Sequence, residues 1–144
     1  MTHDQAAGRT HGLDVSVVIP VCNEQENVEP LAREIHAALA GRYAFESIFV
    51  DPLAREIHAA LAGRYAFETI FVDDGSTDGT AQAVLAAKAA GMPEIRLVRH
   101  AVRSGQSAAV ATGVRRSGAS WIATLDGDGQ NDPADIPKLL DTAL

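Results

Sequence analysis

The chain has 144 residues, 47% of them hydrophobic, and carries 12 basic against 19 acidic side chains for a formal charge of −7. That is one domain's worth of chain with enough apolar content for a core, which argues against extensive disorder. The acidic balance argues against a nucleic-acid groove, where Lys and Arg must replace the counterions on phosphate. The single Cys22 cannot form an internal disulfide, and the start Met1-Thr2-His3-Asp4-Gln5 lacks the basic-then-apolar layout of a signal peptide. The longest apolar run, about 15–22, falls well short of the roughly 20 residues that span a bilayer. A cytosolic setting is expected, and no membrane crossing within these residues.

Residues 1–14 are polar with scattered Gly and His and read as a flexible tail. From Val15 short β-rich apolar runs alternate with longer helical stretches. The pattern predicts a strand over 15–20, a helix from about 26, a strand near 68–73, a helix over 78–90 and a strand over 95–99. A helix over 106–117, a strand over 120–125 and a helix over 133–144 follow, the last opened by Asp132 as cap and Pro133 in its first turn. Strands separated by helices of that length make βαβ units and a parallel sheet. Right-handed crossovers then place helices on both faces. The expected fold is α/β, an open, mainly parallel, Rossmann-like sheet.

An internal repeat interrupts this pattern. Residues 30–51 recur at 52–73 with Ser47 against Thr69 as the single difference. Two nearly identical copies cannot stack into the continuous core of a solenoid, so they point to a recent duplication or an assembly artefact. Only the second copy leads into Asp73-Asp74-Gly75-Ser76, because Pro52 stands where that copy has Asp74. With the first copy beside strand 15–20, the acidic loop would move outward by one strand spacing, about 4.8 Å. The second copy is therefore predicted to fill the sheet. The first is expected to loop out as an extra helix and a frayed or edge strand, with Asp51 capping and Pro52 opening the second helix. His36 and His58, on the duplicated helix surfaces, are given no catalytic task.

Asp126-Gly-Asp-Gly-Gln-Asn-Asp-Pro133 follows directly on the apolar run Trp121–Leu125. Two carboxylates one residue apart at a strand end, with glycines that let the backbone turn tightly, make a place for a divalent metal. A calcium EF-hand fails, since the sixth position from Asp126 is Asn131 instead of Gly and the twelfth is Pro137 instead of Glu. Hard carboxylate oxygens suit Mg²⁺ or Mn²⁺, which can bridge to a diphosphate. Asp128 is the first-choice ligand with Asp126 beside it, and Gln130 is a supporting candidate. Asp73, Asp74 and Ser76 end a second apolar run, where a carboxylate can accept hydrogen bonds from a base or ribose while Ser76, Thr77 and Asp78 order the helix start. Pro20, Val21, Asn23 and Glu24 end the first strand, at the switch point where such a loop wraps base and ribose. A plain turn capped by Asn23 is the other reading there. The segment from His100 opens the next helix, and its N-terminus at Gly105 and Gln106, with Arg103, can meet phosphate. Arg103 serves equally as a solvated surface charge.

The order Val-Val-Ile-Pro-Val-Cys-Asn-Glu, Val-Asp-Asp-Gly-Ser-Thr-Asp-Gly-Thr, Ser-Gly-Gln-Ser-Ala-Ala, Leu-Asp-Gly-Asp-Gly-Gln-Asn-Asp-Pro resembles the family 2 glycosyltransferases of the GT-A fold. Within them it is similar to bacterial polyprenyl-phosphate, dolichol-phosphate mannose synthase-like sugar transferases, over residues 15–144. The resemblance implies a UDP- or GDP-linked sugar donor, a divalent metal at Asp126 and Asp128 of a DXD motif, base or ribose contacts from Pro20, Glu24 and Asp74, and nucleotide binding that includes Asp126 and Gly127. It also implies inversion at the anomeric carbon and a polyprenyl phosphate acceptor met at the cytoplasmic face of the membrane. Cys22 stands where the family usually has an aromatic residue, and the repeat is foreign to its pattern. Family domains continue well past this length, and the further part normally supplies acceptor contacts and any catalytic base. The chain is therefore expected to bind donor poorly and to transfer sugar barely or not at all. Two other classes stand beside this one. A receiver-like phosphoacceptor module would end its first strand in acids, whereas this one ends in Pro20-Val21-Cys22-Asn23-Glu24. A non-catalytic remnant would lack a stable fold.

Overall fold

The computed structural model describes residues 13–40, 65–128 and 130–143. Their order is β1 (Val15–Val21), α1 (Gln25–Ala40), β2 (Phe67–Asp73), α2 (Thr80–Ala89), β3 (Ile95–Arg99), α3 (Gln106–Arg116), β4 (Trp121–Thr124) and α4 (Asp135–Ala143). The strands form one parallel sheet in the order β3-β2-β1-β4. The chain thus builds outward from β1 through β2 to β3, then returns to add β4 on the other side of β1.

β1 reads as an apolar run broken only by Ser16 because both faces of the sheet are covered. With a period of two, Val15, Val17, Ile19 and Val21 face one side together with Phe67 and Phe71. Against them α1 packs Val28, Leu31, Ile35 and Leu39, spaced three or four apart along one helix stripe, and α2 and α4 add Val84, Ala87, Ile136 and Leu140. On the opposite side Val18, Ile70 and Val72 meet Ala109 of α3. The last helix starts later than its sequence signals suggest. Asp135 N–H donates to the Asp132 carbonyl at 3.0 Å and Ile136 N–H to that of Pro133 at 3.1 Å, so Pro133 sits in a tighter i,i+3 turn ahead of the α-helix. Asp132 caps that turn through its Oδ1, which accepts from Ala134 N–H at 3.0 Å.

β2 comes from the second copy of the repeat, as expected. The fate of the first copy's helix is a correction. Residues 30–40 are the greater part of α1, and Leu31, Ala32, Ile35, Leu39 and Ala40 are buried in the core. A helix that follows β1 through a three-residue connection closes a shorter loop than one reached after a whole repeat. The connection is also tied in place: Asn23 N–H donates to Ser76 Oγ at 2.9 Å, Glu24 N–H to Thr80 Oγ1 at 3.0 Å, and Gly79 N–H to Gln25 Oε1 at 2.8 Å. The rest of the expected extra unit, with Asp51, Pro52 and His58, lies outside the described residues. Tyr65 N–H donates to the Leu39 carbonyl at 3.2 Å, so β2 is entered beside the end of α1.

At the opposite edge from the strand C-termini a buried carboxylate ties three strands and the α3–β4 connection together. Glu68 Oε2 accepts from Ser16 Oγ and from Gly118 N–H, both at 2.6 Å, and Oε1 accepts from Arg96 at 2.6 Å. Ser16 Oγ in turn accepts from Ala119 N–H at 3.0 Å. Burial pushes the Glu68 carboxyl up, but the bonds from Ser16, Gly118 and Arg96 and the Arg96 charge outweigh it, leaving the group below its ordinary value.

Two outcomes follow for stability. Deleting residues 41–62 joins Ala40 to Gly63 and preserves the local sequence Ala-Gly-Arg-Tyr, so the deletion variant should melt no lower than the parent by circular dichroism. A clearly lower midpoint would show that the removed residues support the core. Glu68→Gln should destabilise by about 1–3 kcal/mol at neutral pH, because an amide cannot accept from every donor aimed at it. A group whose folded pKa is depressed stabilises above its unfolded value and loses that contribution as pH falls through the folded one. The parent's urea midpoint should therefore drop as pH falls below about 4.5, and the gap between parent and Glu68→Gln should narrow over the same window.

Candidate functional site

β1, β2 and β4 all end at one edge of the sheet. Leu125 N–H donates to the Val18 carbonyl at 3.1 Å, extending the β1–β4 pairing by one residue before Asp126 leaves it. Gly127 then lies against β1, and a Cβ there would stand 2.8 Å from the Pro20 carbonyl oxygen and 2.7 Å from Val21 Cγ1. No side chain fits that approach, so glycine is what lets the acidic loop fold down beside the first strand. The resulting cavity of about 260 Å³ is lined by Pro20, Val21, Cys22, Glu24, Asp74, Arg103, Gly105, Gln106, Asp126, Gly127 and Asp128.

Its polar groups fall into two sets. Asp126 and Asp128 are exposed on one wall. Gln106 Nε2 donates to Asp126 Oδ1 at 3.2 Å, Asn131 Oδ1 accepts from Asp126 N–H at 2.8 Å, and Asp128 Oδ1 accepts from Gln130 N–H at 3.0 Å. Each carboxylate keeps lone pairs to spare. Among the described residues no group of three or more His, Cys, Asp or Glu side chains forms a metal cage. Two hard oxygen donors on an open wall fit a Mg²⁺- or Mn²⁺-like ion that draws its other ligands from water and phosphate. On the facing wall the N-terminus of α3 opens at Gly105 and Gln106 beside Arg103, with helix N–H groups that have no partner within the helix.

Asp74 also lines the cavity and is 4% exposed. Its Oδ1 accepts from Ser104 N–H at 2.7 Å and from His100 Nδ1 at 2.8 Å, and its Oδ2 accepts from Gly105 N–H at 2.8 Å. Burial pushes this carboxyl up, while the His100 bond, the Ser104 and Gly105 N–H groups and the His100 charge bring it below its ordinary value. Asp74 is thus a carboxylate at neutral pH with most of its accepting capacity turned toward the 100–105 loop. Gly75, at φ +73, makes room for that loop, since a Cβ there would stand 2.8 Å from Arg103 N.

Four of the sequence candidates lie off the cavity wall. Asn23, in the left-handed region at φ 56, uses Oδ1 to accept from Thr77 N–H at 2.9 Å and Asp78 N–H at 3.3 Å. Ser76 N–H donates to Asp73 Oδ1 at 3.0 Å. Asp73 is fully buried, and its Oδ2 has the Arg99 guanidinium at 3.4 Å but no directed hydrogen bond among the described residues. Gln130 is exposed and touches Asp128 only through its backbone. Sequence reasoning missed His100 and Thr112. The signal for His100 is register: Asp73 pairs with Arg99, so Asp74 and His100 are the first residues past the ends of neighbouring strands.

An acidic loop, a helix N-terminus and the end of β1 meeting where the strand order reverses define a nucleotide-site α/β domain. Residues 16–144 match the family described as glycosyl transferase family 2, and the chain belongs to that family. It is 35% identical over 131 residues to a dodecaprenyl-phosphate galacturonate synthase of Rhizobium johnstonii, covering 89% of this chain and 32% of that protein. It is 36% identical over 130 residues to an undecaprenyl-phosphate 4-deoxy-4-formamido-L-arabinose transferase of Pseudomonas fluorescens, covering 90% and 32%. The chain spans about a third of the length of these curated relatives. Among solved structures it resembles a mannosyltransferase from Pyrobaculum calidifontis in complex with GDP-Man and Mn²⁺, with TM-score 0.58 and 24% identity over 83% of this chain and 28% of that one. Glucosyl-3-phosphoglycerate synthase from Mycobacterium tuberculosis, in complex with Mn²⁺, UDP and glucosyl-3-phosphoglycerate, matches with TM-score 0.59 and 24% identity over 100% of this chain and 44% of that one. These likenesses establish the GT-A fold. No helix among the described residues is long and apolar enough to cross a membrane.

Gly127→Ala should cost about 1–3 kcal/mol, since the new methyl meets backbone that cannot yield without moving β1 or the acidic loop. Urea unfolding measures it, and a midpoint equal to the parent's would show that the loop is free to shift.

Proposed function

We propose that this chain carries the donor site of a metal-dependent, inverting sugar transferase that moves a glycosyl group from a nucleoside diphosphate to a polyprenyl phosphate. The observation that carries the reading is the convergence of Asp126 and Asp128 with the α3 N-terminus and the Pro20–Glu24 loop on one cavity at the strand-order reversal. Pro20, Val21 and Glu24 wall the base and ribose end. Arg103 and the open N–H groups of α3 face the diphosphate, and Gln106 holds Asp126 in place through its amide. Asp126 and Asp128 would hold Mg²⁺ or Mn²⁺, and the ion would supply charge neutralisation for the departing diphosphate. The acceptor is suggested by the two polyprenyl-phosphate relatives. Its phosphate is already an anion at neutral pH, so its oxygen can attack the anomeric carbon without a base as the bond to the diphosphate breaks on the opposite side.

Donor binding is the direct test. At a nucleotide concentration about 100 times Kd, a ligand of the native state adds about 2.7 kcal/mol, which raises the melting midpoint by several degrees. Thermal melts with UDP and with GDP should show such a rise for one of them, dependent on Mn²⁺ and lost in Asp128→Ala. A cooperative melt that neither nucleotide shifts at millimolar concentration would overturn the reading.

A further inference from the structure

His100 belongs to none of the groups that line the cavity, yet its two ring nitrogens join the parts that do. Nδ1 bonds Asp74 Oδ1 at 2.8 Å and Nε2 bonds Thr112 Oγ1 at 2.8 Å. Asp74 stands at the end of β2, and Thr112 lies near the middle of α3, itself touching the Ala108 carbonyl at 3.0 Å and receiving Arg115 at 3.1 Å. Between them runs the loop 101–105, exposed at every residue. A loop without buried apolar contacts is held by its hydrogen bonds alone. Here those run from Ser104 and Gly105 N–H to the Asp74 carboxylate, whose orientation His100 fixes from the third side.

We propose that His100 is a positioning residue of the donor site, acting through Asp74 to hold loop 101–105 and with it the N-terminus of α3. The proposal rests on the reading of the cavity as a nucleotide site. The Asp74 carboxylate gathers Ser104 and Gly105 like a hook, and His100 keeps the hook from turning. What this sets is the place of Arg103, of the open α3 N–H groups and of Gln106, whose amide reaches Asp126 at 3.2 Å. Binding groups placed before the ligand arrives spare it the cost of ordering them. Asp74 accordingly serves the loop more than the base, and nucleotide affinity depends on a histidine that never touches nucleotide.

The test uses the full chain with three substitutions that separate the two arms. An Asn amide nitrogen can stand where Nδ1 does and keep the Asp74 bond; a Gln amide nitrogen can stand where Nε2 does and keep only the Thr112 bond. Affinity for UDP or GDP with Mn²⁺ is measured by calorimetry, and protection of the Ser104 and Gly105 amides by hydrogen exchange without ligand. His100→Ala and His100→Gln should bind about tenfold more weakly, the size of one hydrogen bond to a charged group, and lose protection at both amides. His100→Asn should recover both. Unchanged affinity and protection in His100→Ala would overturn the proposal, as would equal defects in the Asn and Gln variants, which mark a packing role. Weaker binding with the amides still protected would overturn it too. If His100→Ala fails to fold, the Asn and Gln pair decides. If the parent binds neither nucleotide, the donor-site reading fails by itself, and loss of amide protection in the Gln variant but not the Asn variant would still establish the positioning of the loop.

Discussion

The pairing of β1 with β2 on one side and β4 on the other is the constraint on which the cavity depends. The chain reaches those neighbours from opposite ends of its order, with β3 already laid down outside β2 before β4 is added. The helices that follow β1 and β4 both pack on one face of the sheet and α3, which carries the chain back from β3 to β4, packs on the other, so the loops after β1 and β4 and the start of α3 meet at the crevice where the order reverses. If β4 had been added beyond β3, Asp126 would stand about three strand spacings from β1 instead of one, roughly 14 Å against 5 Å. Asp126 and Pro20 could not then share a wall. The close approach of Gly127 to the Pro20 carbonyl records how tightly the observed arrangement is used.

Most of the fold was legible because its signals are periodic and local. Apolar runs of β-rich residues marked all four strands, and the stripe Val28, Leu31, Ile35, Leu39 marked the helix that covers them. Element ends were less legible where two signals competed. Asp132 and Pro133 both favour a helix start, yet the i,i+3 bonds around them make a tighter turn first, and the α-helix begins at Asp135. Strand order was not in the pattern at all, since alternation shows that strands are parallel and leaves open which one β4 joins.

The candidate site was legible in its chemistry and less so in its division of labour. Asp126, Gly127, Asp128, Glu24 and Arg103 share one cavity, as their positions at strand ends suggest. Asn23, Ser76 and Asp73 stand at the same strand ends, but Asn23 Oδ1, Ser76 Oγ and Asp73 Oδ1 accept from backbone N–H groups of the adjoining loops. A carboxylate or amide oxygen that accepts an N–H from a ligand is chemically the same as one that accepts it from a neighbouring loop. Only the three-dimensional register separates the two uses, and for Asp74 it brings in His100 from a neighbouring strand end.

The repeat shows how little the core itself decides. The buried Leu31, Ile35 and Leu39 of the first copy recur in the sequence of the second as Leu53, Ile57 and Leu61, so apolar pattern alone cannot rank the copies for the seat beside the sheet. The structure takes its helix from the first copy and its strand from the second. What distinguishes the copies is the chain on either side of them: Asn23 to Gln25 are bonded to the 76–80 loop ahead of the helix, and Asp73 and Asp74 follow the strand. Those flanking residues stand at the C-terminal edge of the sheet, the edge that holds the cavity. The polar loops that would receive a ligand are thus also the parts that set the register of an otherwise ambiguous core.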